Sequence, residues 1–151
     1  MKKIVMSIIV CFLLEGIVWA IPLEKGLVQE YTEIAERAAL VIQQDGKDKA
    51  FADITNSRGR YISVKNEVYV YVIDSKGVIL SHSTNKLLIG QQFLDIRDAD
   101  GKLFYQEIIK EAAKNSSGWV TYKTMNPVSK RVERKDCFFK KQGDYIVCAT
   151  K

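Results

Sequence analysis

The chain has 151 residues, of which 47% are hydrophobic and 27% are charged, a balance typical of one soluble domain. Its formal net charge of +5 arises mainly from dispersed lysines and arginines, with one cluster between Lys130 and Lys141. Because no exposed aromatic side chains are predicted beside that cluster, the composition does not indicate nucleic-acid binding. A single histidine and the lack of motifs for haem, phosphate or a nucleophilic serine give no support to an enzyme.

Residues 1–20 predict export from the cytoplasm. A basic start precedes an apolar run over residues 4–20, and Val18 and Ala20 are the small residues expected before a cleavage site. This pattern is typical of a secretory signal peptide. An uncleaved anchor in the inner membrane, formed by residues 4–20, is the alternative. The remaining domain, residues 21–151, is then periplasmic or otherwise extracytoplasmic.

Hydrophobic periodicity predicts three helices and five strands in the rest of the chain. A long helix over residues 23–45 ends at Gly46, and a short helix follows over residues 47–55. Two strands follow, over residues 67–73 and 77–83, and then a helix over residues 102–114. Three final strands lie over residues 118–124, 131–140 and 144–150. This order predicts an α+β domain in which the helices cover one face of a five-stranded antiparallel sheet.

The strand near Val68–Ile73 is apolar or aromatic on both faces, as expected for a central strand that is covered on each side. Tyr69 and Tyr71 share one of those faces because side chains alternate along a strand. Their hydroxyl groups then need partners inside the protein, which is typical of a small polar pocket. His82 ends the next strand. These residues indicate a binding site without an evident reaction.

Two cysteines follow the signal segment, Cys137 and Cys148, and in an exported protein such a pair suggests a disulfide. If Gln142 and Gly143 form a two-residue hairpin turn, counting outward places the cysteines opposite each other, close enough for a bridge. Two buried free thiols are the alternative, since cysteine packs well as a small apolar residue.

Lys135 shares its predicted strand face with Cys137, and a buried ammonium group is costly unless an anion accompanies it. A bound carboxylate would be such an anion. The alternatives are that the lysine extends into solvent or pairs with Glu133 or Asp136. Tyr122, on the neighbouring strand, is either a pocket residue or a cross-strand packing residue.

Residues 96–107 partly match a calcium-binding loop, but Ile96 stands at the first ligand position, so no metal site is predicted. Asp98 or Asp100 is instead expected to cap the helix that begins near Lys102. No cofactor is expected either, because no cofactor-binding motif is present.

Several motifs follow one another along the chain: Tyr69–Gly77, Val78–His82, Ile89–Asp95, Gly118–Tyr122, Lys135–Phe138 and Gly143–Val147. With these motifs the chain resembles, from about Gly26 to Thr150, the second subtype of the single Cache domain, an extracytoplasmic relative of PAS domains. The resemblance implies a PAS-like antiparallel sheet behind a long N-terminal helix. It also implies sensing of a short organic acid of the acetate, propionate, pyruvate or lactate type, as in ectodomains of bacterial chemoreceptors and histidine kinases.

By position, the resemblance implies a pocket lined by Tyr69, Tyr71, His82, Phe93, Tyr122 and Lys135. The lysine would bind the carboxylate, and the tyrosines and the histidine would donate hydrogen bonds. Phe138 departs from the family, which usually has a tyrosine at this position.

The resemblance also implies a partner. Because the sequence stops at Lys151 without a second membrane helix or a signalling module, a freestanding binding domain is expected. Its occupancy would be reported to a separate membrane chemoreceptor or histidine kinase. The alternative is a protein-interaction module that docks on such a receptor and has a vestigial pocket.

Overall fold

The computed structural model describes residues 25–56, 58–126 and 129–151. The predicted signal peptide, residues 1–20, lies outside them. The helices and strands follow in the order α1 (Lys25–Asp45), α2 (Lys47–Asn56), β1 (Ile62–Ser63), β2 (Val68–Ile73), β3 (Ile79–His82), α3 (Phe104–Lys114), β4 (Ser117–Met125), β5 (Val132–Gln142) and β6 (Tyr145–Thr150). A short 3₁₀ helix, Lys86–Leu88, lies in the β3–α3 loop. Among the described helices, none combines the length and apolarity needed to cross a membrane.

The strands form one antiparallel sheet in the order β1–β2–β6–β5–β4, and β3 pairs with the same edge of β2 as β1 does. The predicted α+β, PAS-like fold with a long N-terminal helix is confirmed, but the sheet has six strands instead of five. The additional strand β1 contains only two residues. Such a strand is too short for an alternating pattern to reveal it in the sequence.

Both faces of the sheet are covered, but by different elements. α1 and α2 pack on the face that carries Val70 and Val72. α3 packs through Ile108 on the opposite face, which carries Tyr71 and Ile73. The expectation that all helices cover one face was therefore wrong. The reason lies in β2, whose apolar side chains on both faces would stay in contact with water if one face were open.

A β-bulge in β3 determines which of its side chains reach each face. Ser81 pairs with Val72, but Ile79 pairs with the next residue of β2, so Leu80 is the additional residue. The Ser81 hydroxyl therefore faces α2, where it donates to a backbone carbonyl at 3.0 Å. His82, the next residue, points to the opposite face of the sheet, towards the tyrosines of β2.

The β5–β6 turn differs by one residue from the predicted turn. Gln142 pairs with Tyr145, so the turn residues are Gly143 and Asp144. Gly143 has a φ of +59°, and a glycine at the first central position is typical of a type II′ turn. The prediction placed this glycine at the second central position. Consequently, the partner of every β5 residue lies two positions farther along β6 than expected, on the same face.

Candidate functional site

One face of the sheet carries five of the six predicted site residues, and we call it the aromatic face. Tyr69 and Tyr71 project from β2, and His82 lies opposite Tyr71 on β3. Tyr122 on β4 lies opposite Lys135 on β5. β6 lies between these two groups in the sheet. The sheet thus brings together residues that are up to 66 positions apart in the sequence.

Lys135 lies on the aromatic face because the β4–β5 pairing is unbroken from Ser117 to Met125. Cys137, two residues along β5, packs in the core on this face, so side-chain alternation puts Lys135 on the same side. The lysine is half-buried. Within the described parts of the chain it forms no ion pair, whereas nearby Lys123 does.

The carboxylates that were expected to compete for Lys135 are held by other groups. Asp136 pairs with Arg134 at 3.0 Å. Glu133 accepts hydrogen bonds from two neighbouring side chains, at 3.0 Å each. These bonds, and to a smaller extent the charge of Lys135, lower the pKa of Glu133. Lys135, opposite Tyr122, therefore carries an ammonium group without a direct ion pair among the described residues.

The His82 side chain is held between β2 and the start of the β3–α3 loop. Its ring stacks on Tyr69 and Tyr71, with centroids 5.2 and 5.9 Å apart. Its Nδ1 accepts hydrogen bonds from the backbone N–H groups of Thr84 at 3.2 Å and Asn85 at 3.0 Å. The side chain is only 4% exposed, and this burial lowers its pKa to about 4. The ring is therefore neutral at pH 7, with its proton on Nε2.

Two of the three tyrosine hydroxyls have a partner among the described residues, and the third has none. Tyr122 Oη lies 3.0 Å from Thr150 Oγ1, which itself donates to a backbone carbonyl, so the tyrosine is the donor. Tyr71 Oη lies 3.8 Å from Cys137 Sγ. The Tyr69 hydroxyl forms no hydrogen bond with any described residue. Burial raises the pKa of all three tyrosines, that of Tyr69 to about 12, so they are protonated at neutral pH.

Aromatic rings from the β3–α3 loop and from α3 cover the aromatic face. Phe93, the sixth predicted residue, stacks on Tyr105 at 5.5 Å, and the Tyr105 ring lies 6.1 Å from that of Tyr71. Phe104 stacks on Tyr122 at 4.1 Å. The structure thus brings the loop residue to the predicted site and adds two residues of α3 that were not predicted there.

The signal for these two residues was present in the spacing of α3. Phe104, Ile108 and Ala112 recur every four residues, and Tyr105 and Ile109 form the adjacent stripe. This pattern correctly predicts a buried helix face. It does not say which face of the sheet the helix covers, and the prediction placed α3 beside α1 and α2.

Cys137 and Cys148 are buried free thiols in this structure. Cys137 lies opposite Thr150, and Cys148 lies opposite Phe139, so the direct pairing expected for a disulfide was wrong. The shifted hairpin turn is the physical reason. Both cysteines still lie on the aromatic face, where burial raises the pKa of Cys148 well above its ordinary value.

Phe138 lies on the other face of the sheet. It packs in the core below α1, with its ring 5.2 Å from that of Trp119. A tyrosine at this position would therefore not add its hydroxyl to the aromatic face, and the departure from the family pattern leaves the site unchanged.

Asp98 organises the β3–α3 loop instead of capping α3. The N-cap residue of α3 is Leu103, which makes no side-chain capping bond. Asp98 accepts backbone hydrogen bonds from Asp100, Lys102 and Lys123, at 2.8 to 3.0 Å. Desolvation acts to raise the pKa of this carboxyl, but these bonds outweigh it and lower the pKa. Across the described ranges, no cluster of three metal-ligating side chains is present.

A separate groove of about 230 Å³ lies between α3 and the β5–β6 turn. Ile109, Ala112 and Ile146 line it, together with Lys141. Lys141 is six residues from Lys135 along β5, which corresponds to roughly 20 Å in an extended strand. The groove therefore lies on the same face of the sheet, at the other end of β5 from the predicted site residues.

The strand order and the covered faces define a PAS-like sensor fold. The chain belongs to the single Cache domain family of the second subtype, because the model described as Single Cache domain 2 matches residues 29–145. Cache domains are extracytoplasmic sensory modules that bind ligands.

Among the solved structures that share this fold are the following three. A periplasmic sensor domain of a chemotaxis protein is 22% identical, with a TM-score of 0.62 over 83% of this chain and 90% of that chain. A Cache chemosensory domain, solved for carboxylic acid recognition, is 20% identical, with a TM-score of 0.61 over 83% of this chain and 88% of that one. A methyl-accepting chemotaxis protein from Vibrio parahaemolyticus RIMD 2210633 is 16% identical, with a TM-score of 0.58 over 83% and 82%. No curated protein sequence matches this chain.

Proposed function

We propose that this chain is a sensor domain outside the cytoplasm that binds a short organic acid on its aromatic face. The position of Lys135 carries the proposal: the side chain is half-buried, lies opposite Tyr122 and has no ion pair within the described residues. A carboxylate bound there would neutralise the ammonium group through a charge-assisted hydrogen bond, which is about twice as strong as one between neutral groups.

Two further donors on this face support a second polar group in the ligand. The Tyr69 hydroxyl and the His82 Nε2–H have no hydrogen-bond partner among the described residues, and their rings lie 5.2 Å apart. The keto oxygen of pyruvate or the hydroxyl of lactate would accept from such donors, whereas acetate and propionate have no second polar group. The proposal therefore favours a 2-oxo or 2-hydroxy acid over a simple fatty acid.

Entry to this face requires the covering rings to separate from the sheet. Phe93 and Tyr105 pack over it from the loop and from the first turn of α3. We propose that the acid enters beneath these two rings.

The domain described for carboxylic acid recognition shares the fold at 20% identity, which supports the ligand class. The chemotaxis proteins of this fold support a chemoreceptor as the partner that reads the bound state.

The test is a thermal-shift and calorimetric titration of the purified protein with acetate, propionate, pyruvate and lactate. A ligand at 100 times its Kd stabilises the folded state by about 2.7 kcal/mol, which is readily measured. Lys135→Met removes the charge and keeps an unbranched stem, so we expect at least a tenfold loss of affinity. Lys140→Met is the matched control, because Lys140 lies on β5 and faces the other side of the sheet. If Lys135→Met binds the acid as tightly as the wild type does, Lys135 does not bind the carboxylate.

A second candidate function is a docking module for a membrane receptor or kinase. The observation in its favour is that the rings on the aromatic face pack against one another, while Leu87 and Ile96 on the covering loop are 82% and 44% exposed. This candidate predicts that no acid of the panel shifts the melting temperature. It also predicts that Leu87→Ser weakens receptor binding without changing stability.

A further inference from the structure

Tyr105 occupies the centre of the layer that covers the aromatic face. Its ring lies 5.5 Å from Phe93, 4.4 Å from Phe104 and 6.1 Å from Tyr71. Since Phe104 covers Tyr122, Tyr105 is the ring that separates the covering loop from the tyrosines of β2. Burial raises the pKa of Tyr105, and nearby thiols add to the effect.

The sheet side of the site has little freedom to adapt to a larger ligand. Tyr71 sits in the central strand and is 2% exposed, and Tyr122 is tied to Thr150 at 3.0 Å. His82 is fixed by the hydrogen bonds to its Nδ1 and by its two ring contacts. The space for a ligand therefore depends on the side chain that approaches from the covering side.

We infer that Tyr105 sets the maximum size of the acid that the aromatic face accepts. This inference rests on the proposed function, and it names the residue that determines specificity at that site. The phenol ring fills the space in which the carbon chain of a longer acid would lie, beyond a carboxylate held at Lys135. Because the ring projects from the first turn of α3, its removal leaves the donors of β2, β3 and β5 in place.

The experiment measures a series of 2-oxo acids of increasing length: pyruvate, 2-oxobutyrate, 2-oxovalerate and 2-oxohexanoate. Affinities are determined by calorimetry for the wild-type protein and for Tyr105→Ala, Tyr105→Phe and Ile109→Ala. We expect Tyr105→Ala to raise the affinity for 2-oxohexanoate relative to pyruvate at least tenfold. Tyr105→Phe keeps the ring and should keep the wild-type order of affinities. Ile109→Ala controls for a general loosening of α3, because Ile109 packs on the same face one helical turn away.

The possible outcomes separate this inference from the proposed function. If the wild type binds short acids and Tyr105→Ala keeps the same size order, the inference is overturned while the proposed function stands. If Ile109→Ala changes the size order as strongly as Tyr105→Ala does, the inference is also overturned. If no acid binds the wild type, both fall. Should Tyr105→Ala fail to fold, Tyr105→Leu gives the same measurement with a smaller loss of packing.

Discussion

The neutral state of His82 connects the aromatic face to the loop that covers it. Its Nδ1 accepts hydrogen bonds from Thr84 and Asn85, the residues with which the loop begins. A protonated Nδ1 is a donor and can no longer accept these bonds. Proton uptake by this ring therefore destabilises the folded state in two ways. It places a charge in a buried position, and it breaks the hydrogen bonds that fix the start of the loop.

We predict that stability falls as the pH is lowered from 6.5 to about 4. The unfolded chain binds a proton on His82 below about pH 6.5, whereas burial lowers the pKa in the folded state to about 4. The stability is thus fully present above pH 6.5 and is lost progressively below it. Because a tenfold change in proton affinity corresponds to about 1.4 kcal/mol, the loss is about 3 kcal/mol at most.

Urea unfolding of the wild type and of His82→Asn between pH 7.5 and 4 checks this prediction. The asparagine keeps an acceptor near the position of Nδ1 and does not titrate, so the difference between the two proteins isolates the histidine from the carboxylates. The difference should grow in favour of His82→Asn as the pH falls. A constant difference across this range would show that His82 does not contribute to the pH dependence.

At the scale of elements, the close contact between β4 and β5 depends on the lack of a side chain at Gly118. A Cβ atom at this position would lie 2.8 Å from Cζ of Phe139, its cross-strand partner. The Phe139 ring is 1% exposed, in the core below α3. A methyl group at residue 118 would therefore push a core ring out of its position.

We predict that Gly118→Ala destabilises the protein by about 1–3 kcal/mol, the usual range for overpacking a core. Gly26→Ala is the control, since a Cβ at Gly26 meets nothing within 4 Å in the first turn of α1. Alanine favours helix there, so the control should be neutral or slightly stabilising. Chemical denaturation measures both free energies of unfolding. Equal stability of the two variants would contradict the account of this contact.

The elements that the sequence predicted are those with a strong local pattern. The helices near Lys25–Asp45 and Phe104–Lys114 and the central strand Val68–Ile73 follow from periodicity alone. Local patterns did not show the bulge at Leu80, the one-residue shift of the hairpin turn or the side of the sheet that α3 covers. Each of these depends on how distant segments pack, and the bulge in particular decides that His82 reaches the aromatic face.

At the scale of the whole molecule, the sheet joins four separate sequence segments into one candidate site. Alternation along each strand predicted correctly that Tyr69 and Tyr71 share a face and that Lys135 lies on the same side as Cys137. The covering residue Tyr105 was missed because it comes from a helix whose side of the sheet depends on tertiary packing. The fold was therefore easier to predict than the list of residues that enclose the site.

The central claim, that Lys135 receives the carboxylate of a bound acid, is tested most directly by a crystal structure of the protein with the acid that binds most tightly. The account predicts density for the acid beneath Phe93 and Tyr105, with a carboxylate oxygen within about 3.2 Å of Lys135 Nζ. An acid bound elsewhere, for example in the groove beside the β5–β6 turn, with Lys135 extended into solvent, would contradict it.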